Sequence, residues 1–142
     1  MNILISACLL GTACRYDGRS VPNDKALLLM KKHTLIPVCA EILGGLPTPR
    51  LPAERQGDRV IRCDGADVTE QYLRGAKEVL RLARLYGCSV AVLKERSPSC
   101  GSGRIYDGSF SKRLHSGDGT TAELLKSAGI TILGESQLEE LL

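Results

Sequence analysis

Four short apolar runs, separated by segments of helical spacing, constrain the fold more than any other feature of this sequence. The runs cover residues 3–7, 35–38, 89–93 and 130–133. Continuous apolar runs of this length are typical of strands buried on both faces. Strands that alternate with helices and are joined by right-handed crossovers form a parallel sheet. The sequence therefore predicts one α/β domain over residues 1–142, a Rossmann-like three-layer fold with a mainly parallel sheet between helices.

The longest predicted helix covers residues 70–86, where apolar residues recur at helical spacing. Thr69 is the predicted N-cap of this helix, and Gly87 is the predicted residue that ends it. Asn23 or Asp24 can cap an earlier helix. The remaining predicted elements are helices over residues 25–33, 120–127 and 135–142, a possible hairpin turn at Asp64 and Gly65, and a long loop over residues 97–119.

Composition limits the classes of function that this chain can have. A hydrophobic fraction of 43% and a charged fraction of 25% are ordinary for a soluble globular protein. Four Tyr, one Phe and no Trp argue against an aromatic platform for stacking bases. The net charge of +3 is too small to indicate nucleic-acid binding, although it suits a small anionic ligand.

No apolar segment approaches the roughly 20 residues that a membrane-spanning helix needs. The first ten residues lack a basic n-region and are interpreted as the first strand, so a cytoplasmic location without membrane contact is expected. Six cysteines in a reducing compartment are then expected to be free thiols or metal ligands instead of disulfides.

Three of the four apolar runs end at or just before a cysteine, namely Cys8, Cys39 and Cys100. In open parallel sheets, ligands bind outside the carboxyl ends of the strands, so these three residues are expected at one site. Zinc usually requires a fourth ligand and closely paired cysteines, and the sequence has no C-x-x-C. An iron–sulfur cluster held by three cysteines would leave one iron open. From spacing alone, a purely structural role as small buried residues is as well supported as a metal site.

The other cysteines carry less weight in this interpretation. Cys88 precedes a strand and is predicted to lie in the core, and Cys63 lies beside a turn and is predicted to be a bystander. Cys14 is open to three interpretations: a fourth ligand, a resolving thiol or a structural residue.

Polar residues near these cysteines are candidates for catalysis. Glu41 follows Cys39 by two residues and is either a charge at a helix start or a carboxylate directed at the site, where it could act as a general acid or base. Ser97 and Ser99 flank Pro98; their hydroxyls either satisfy turn amides or hold a substrate.

Other residues in the loops could place amide donors or positive charge at the same edge of the sheet as the cysteines. The segment Gly117 to Thr121 leads into a helix whose N-terminal amides could hold an anion, although a plain cap is the commoner arrangement. Three arginines in the expected rim loops could neutralise thiolates or a substrate anion: Arg15, Arg50 and Arg104.

Three segments of the chain resemble, in order, the signature segments of the DUF523 family, the family of thiouracil desulfidase. They are SACLLGTACRYDG, VCAEILGGLPTPRLPAE and LKERSPSCGSGRIYDGSF, and the resemblance extends over essentially the whole chain. One departure is visible: Ala40 stands where the family typically has a proline between the second cysteine and the glutamate.

This resemblance implies a 4Fe-4S cluster held by Cys8, Cys39 and Cys100, with Cys14 and Cys63 outside the ligand set. It implies an enzyme, a desulfidase, in which the open iron takes sulfur from a thiolated nucleobase or a similar small thio-compound without net redox change. The family's catalytic roles fall on Glu41 as the acid or base and on Ser97 as the residue that positions substrate. The expected partner is this small substrate, for instance a free thio-base, and neither nucleic acid nor membrane.

Two alternative functions follow from the same features. One is a non-catalytic metal- or cluster-binding module that senses oxidants or delivers sulfur. The weaker one is a nucleotide-binding domain that uses the turn before residue 121.

Overall fold

The computed structural model describes all 142 residues and contains eight strands and four α-helices. The strands are β1 (Asn2–Ser6), β2 (Thr34–Val38), β3 (Ala53–Gln56), β4 (Arg59–Arg62), β5 (Val90–Leu93), β6 (Arg104–Tyr106), β7 (Leu114–Ser116) and β8 (Thr131–Gly134). The helices are α1 (Asp24–Leu28), α2 (Ala40–Leu43), α3 (Thr69–Leu85) and α4 (Thr120–Ser127), and short 3-10 turns cover Ala7–Leu10, Leu29–Lys31 and Glu139–Leu141.

The four predicted apolar runs form one parallel sheet with the strand order β2-β1-β5-β8. From β1 the chain proceeds to β2 on one side, and β5 and β8 then extend the sheet on the other. The order therefore reverses between β1 and β5. Such a reversal opens a crevice at the carboxyl ends of the strands, where ligands of α/β proteins bind.

The period-two alternation of the strands produces two apolar layers. Leu4 and Leu93 face a core that α3 and α4 cover, together with Val79 and Leu125. Ile3, Ile5 and Val92 face the opposite core, which includes Ala26 of α1, Leu29 and Leu138. Helices or turns thus cover both faces of the sheet, and the predicted three-layer α/β architecture is confirmed.

Local signals located most helix ends. The Asn23 side chain accepts a hydrogen bond from the Ala26 amide, as expected of an N-cap. Gly87 adopts a φ of 64° immediately after the C-cap of α3, which favours glycine. The Thr69 prediction is wrong by one residue: Thr69 is the first residue of α3, and its hydroxyl instead accepts from the Val60 amide at 2.9 Å.

Irregular segments differ more from the predictions. The predicted helix over 135–142 is only the 3-10 turn Glu139–Leu141, because Glu135 and Ser136 are instead hydrogen-bonded to Glu95 in a turn. The predicted loop over 97–119 contains β6 and β7, whose three-residue strands are too short for any periodicity to show. The β3–β4 hairpin turns at Gly57, and Asp64 and Gly65 form a separate turn after β4.

None of the helices combines the length and the apolar character that crossing a membrane requires.

Candidate active site

A cleft of about 580 Å³ lies at the carboxyl ends of the strands, between the sheet and the hairpins β3–β4 and β6–β7. All three strand-end cysteines line it. Cys8 lies in the 3-10 turn that follows β1, Cys39 is the N-cap residue of α2, and Cys100 lies in the turn after β5. The parallel topology therefore brings three residues that are distant in sequence into one cleft.

Cys14 also lines this cleft and is almost fully buried. The Cys14 carbonyl accepts from the Cys39 thiol at 3.8 Å, and the Cys14 thiol lies beside those of Cys39 and Cys8. The hydrogen bond with Cys14, and then burial, raises the pKa of the Cys39 thiol far above its ordinary value. Burial raises the pKa of Cys100 to about 12. These groups are thus protonated thiols in the metal-free protein, and the binding of a metal centre must release protons.

The Glu41 carboxylate points into the cleft and is held at both oxygens. Arg50 forms an ion pair with Oε2, to which its Nε donates at 2.8 Å, and the Tyr72 hydroxyl donates to Oε1 at 2.8 Å. Only 7% of the Arg50 side chain and 15% of the Glu41 side chain are exposed, so the pair is shielded from water. Burial, and then the Glu41 charge, raises the pKa of the Tyr72 hydroxyl well above its ordinary value, so this hydroxyl remains a donor.

The guanidinium of Arg50 also ties three loops together. Its Nη2 donates to the Cys14 carbonyl at 2.9 Å, and its Nη1 donates to the Pro47 carbonyl and to the Thr48 hydroxyl, each at 3.1 Å. The sequence suggested that Arg50 could neutralise thiolates or a substrate anion, but its guanidinium is occupied by Glu41 and by these oxygens.

Two glycines bring α2 against α3 and thereby set the position of Glu41. A Cβ atom on Gly75 would overlap the Ala40 carbonyl, and one on Gly44 would overlap the Gln71 carbonyl. The backbones of the two helices are therefore in direct contact, which places the Tyr72 hydroxyl beside the first turn of α2.

The two candidate serines occupy different environments. Ser99 is 1% exposed, and its hydroxyl is hydrogen-bonded to the Thr121 hydroxyl at 2.8 Å. Ser97 is half-buried and lines the cleft; its hydroxyl accepts from the amides of Ser99 and Cys100. Because the Ser97 hydroxyl accepts both bonds, its own proton is free to be donated to a ligand.

The N-terminus of α4 is used by the protein itself. The Thr120 amide donates to the Pro98 carbonyl, and the Thr121 and Ala122 amides donate to the Ser99 carbonyl. These amides hold the turn that carries Cys100, so they are not available for a phosphate. The structure therefore does not support the nucleotide-binding interpretation of this turn.

The remaining predicted residues differ in whether they line the cleft. Arg15 lines the cleft, whereas Arg104 lies exposed on β6 and does not. Cys88 lies in the core, as predicted, and Cys63 is exposed and away from the cleft. Sequence reasoning missed Tyr72, because its helical spacing with Ala76 and Val79 marks it only as a buried apolar position.

No group of three or more His, Cys, Asp or Glu side chains in the chain is arranged to hold a single metal ion. A cluster of several irons spans a larger distance between its thiolate ligands, and the cleft has room for it. Sulfur donors without histidine are the usual ligands of iron–sulfur clusters.

Comparisons with known proteins identify the family of this chain. Residues 3–137 match the model of the family described as 2-thiouracil desulfurase. An uncharacterised protein of Bacillus subtilis (strain 168), YbbK, is 41% identical in an alignment that covers 99% of each chain. The solved structure of TudS, a 4Fe-4S-dependent thiouracil desulfidase, superimposes with a TM-score of 0.93 at 47% identity, covering 99% of this chain and 94% of that one. This chain belongs to the 2-thiouracil desulfurase family.

Proposed function

We propose that this protein is a 4Fe-4S-dependent desulfidase that converts a thiolated nucleobase, such as 2-thiouracil, into the oxo-base. The observation that carries this proposal is a buried, doubly held Glu41 carboxylate in the same cleft as three strand-end cysteines. The similarity to TudS over 99% of the chain supports the same function.

Cys8, Cys39 and Cys100 are the proposed cluster ligands, because each lines the cleft from a different loop at the carboxyl edge of the sheet. When bound, a cluster with three cysteine ligands supplies an iron that has no protein ligand and is a Lewis acid with high affinity for sulfur.

Glu41 is the proposed acid or base. Oε1 accepts from the Tyr72 hydroxyl and Oε2 accepts from Arg50, so the carboxylate cannot rotate away from the cleft. Oε2 accepts from both Nε and Nη2 of Arg50, whereas Oε1 accepts only from Tyr72. The second lone pair of Oε1 can therefore take a proton from water as it attacks the ring carbon. Ser97 is proposed to donate its hydroxyl proton to a ring oxygen or nitrogen of the substrate.

The overall reaction balances without electrons. The C=S bond of the thio-base breaks, a C=O bond forms with the oxygen of water, and sulfur leaves as hydrogen sulfide. The ring carbon keeps its oxidation state, so the reaction requires water and no reductant.

The test is anaerobic reconstitution with iron and sulfide, followed by incubation with 2-thiouracil. Uracil and sulfide should appear in equal amounts and in many turnovers per protein. A protein that holds its cluster but produces neither would instead be the non-catalytic module that senses oxidants or delivers sulfur.

Glu41→Gln tests the catalytic assignment in the same assay. The variant keeps volume and hydrogen bonding but cannot exchange a proton at neutral pH, so the rate should fall by about two to four orders of magnitude with the iron content unchanged. Full activity with an intact cluster would remove Glu41 from the mechanism.

Cys14→Ser tests the ligand set, since Cys14 contacts both Cys39 and Cys8. With three ligands, the variant should retain its iron and its visible absorbance. The exposed residue Cys63 offers the matched control, Cys63→Ser. Loss of the cluster in Cys14→Ser alone would show that a fourth cysteine binds and that no iron is open.

A further inference from the structure

The few aromatic residues of this chain are concentrated around the cleft. Of four tyrosines and one phenylalanine, all but Tyr86 line it. Tyr72 is buried and donates to Glu41, so its position there has an explanation. Phe110 has no polar group, belongs to none of the three apolar clusters and is 37% exposed. Packing within the protein therefore does not explain why a phenylalanine lies at this position.

The backbone at Phe110 is also held in an unfavourable conformation. Its φ is 58°, in the left-handed region that residues with a Cβ seldom adopt. Arg96 and Lys112, which also line the cleft, are the other residues besides glycine with positive φ. Conformations of this kind persist where the surrounding structure enforces them, and they concentrate at sites that bind ligands.

One buried carboxylate enforces the conformation of Phe110. Glu54 of β3 is 9% exposed, and its Oε1 accepts from the amides of Gly108 and Phe110 at 3.0 and 3.1 Å. Gln56 donates to the Gly108 carbonyl at 2.8 Å. The tip of the β6–β7 hairpin is therefore fixed to β3, and the Phe110 ring is fixed beside the cleft.

We propose that Phe110 is a specificity-determining residue whose ring stacks on the flat face of the substrate. The inference rests on the proposed function and adds the residue that recognises the flat face of the substrate ring. The scarcity of aromatic residues argued against a stacking platform, but one positioned ring at a cleft wall is sufficient to select a planar base.

A fluorescence titration tests stacking directly. The chain has no tryptophan, so Phe110→Trp introduces a single reporter that keeps an aromatic ring at the site. Uracil, the expected product, should quench this fluorescence in a saturable manner in the reconstituted protein. Tyr86→Trp is the matched control outside the cleft, and its fluorescence should show no saturable response. Absence of saturable quenching in Phe110→Trp would overturn the proposal.

Steady-state kinetics with 2-thiouracil give the second measurement. Phe110→Leu keeps an apolar side chain but removes the ring, so KM should rise by about 5-fold to 150-fold, the range expected for one base–aromatic contact, with kcat little changed. Phe110→Tyr should restore the wild-type KM. Wild-type KM in Phe110→Leu, at equal iron content and equal melting temperature, would contradict the proposal.

The two measurements separate the failure of this inference from the failure of the proposed function. If the wild-type protein releases no sulfide from 2-thiouracil, the proposed function fails, but saturable quenching in Phe110→Trp would still establish that the ring contacts a planar base. If the wild-type protein turns over and Phe110→Trp shows no saturable quenching, only the role of Phe110 is wrong.

Discussion

The two walls of the cleft are built on different physical principles. The sheet wall carries Cys8, Cys39 and Cys100 on turns that follow three strands of the sheet. The side chains of β1 and β5 are mostly buried, and Val38 is the buried residue of the edge strand β2. The hairpin wall, which carries Phe110, has one buried apolar residue, Ile105, and is otherwise attached through single polar side chains, above all Glu54. Apolar burial therefore sets the positions of the sulfur atoms. A few hydrogen bonds fix the position of the hairpin wall, which is the wall proposed to contact substrate.

This difference predicts different responses to mutation. A change in the sheet wall affects a core shared by the whole molecule, so it should alter global stability. A change in the hairpin wall should open that hairpin locally and affect substrate binding first, because segments with few apolar contacts unfold most easily.

Arg50→Ala should have the largest effect, since Arg50 connects the Cys14 loop to the carboxylate of α2. Removing one partner of a buried ion pair leaves the other charge uncompensated, at a cost of about 3–5 kcal/mol. Chemical denaturation should show a loss of this size in the free energy of unfolding. Arg59→Ala, which breaks the exposed pair of Arg59 with Asp67, is the control and should cost about 1 kcal/mol or less.

A double variant identifies the cause of that loss. If the uncompensated Glu41 charge is responsible, Arg50→Ala combined with Glu41→Ala should be more stable than Arg50→Ala alone. Equal or greater destabilisation in the double variant would assign the effect to the loop contacts of Arg50 instead.

Gly75→Ala should have the next largest effect. Alanine has the higher helix propensity, by about 1 kcal/mol, but its methyl group would overlap the Ala40 carbonyl, a backbone group that cannot rotate away. Overpacking should outweigh propensity, with a net loss of about 3 kcal/mol in a thermal or chemical melt. In Gly117→Ala, the new methyl group finds its nearest neighbour at 3.6 Å, so no measurable loss is expected. A stabilised Gly75→Ala protein would show that α2 and α3 can separate freely.

The difference between the two walls also explains which features of the fold and the site could be predicted from the sequence. Apolar runs and caps such as Asn23 are local signals, so the parallel sheet and the strand-end position of the cysteines could be predicted. The contacts of Arg50, Tyr72 and Glu54 join residues 9 to 56 positions apart, and no periodicity encodes such pairings. Three-residue strands such as β6 and β7 are also too short to produce a pattern.

Glu54→Ala tests the hairpin wall. The variant leaves the amides of Gly108 and Phe110 without their acceptor, which should cost about 2 kcal/mol. Because the hairpin can open locally, hydrogen exchange at these two amides should accelerate more than exchange in β1, and KM should rise more than kcat falls. Equal acceleration in both regions would mean that the two walls unfold as one unit.

Tyr72→Phe should have the smallest effect on stability and is the sharpest test of how Glu41 is held. The ring stays packed against Val60 and Val68, and only the hydroxyl that donates to Oε1 is lost, so unfolding should become easier by about 1 kcal/mol. The rate should fall by about tenfold, because the carboxylate retains Arg50 but can rotate about that single anchor. Tyr86→Phe removes a hydroxyl from an exposed residue outside the cleft and should change neither quantity. If Tyr72→Phe has the same rate and the same pH–rate profile as the wild-type protein, Arg50 alone orients Glu41. The contact between α2 and α3 then serves stability instead of catalysis.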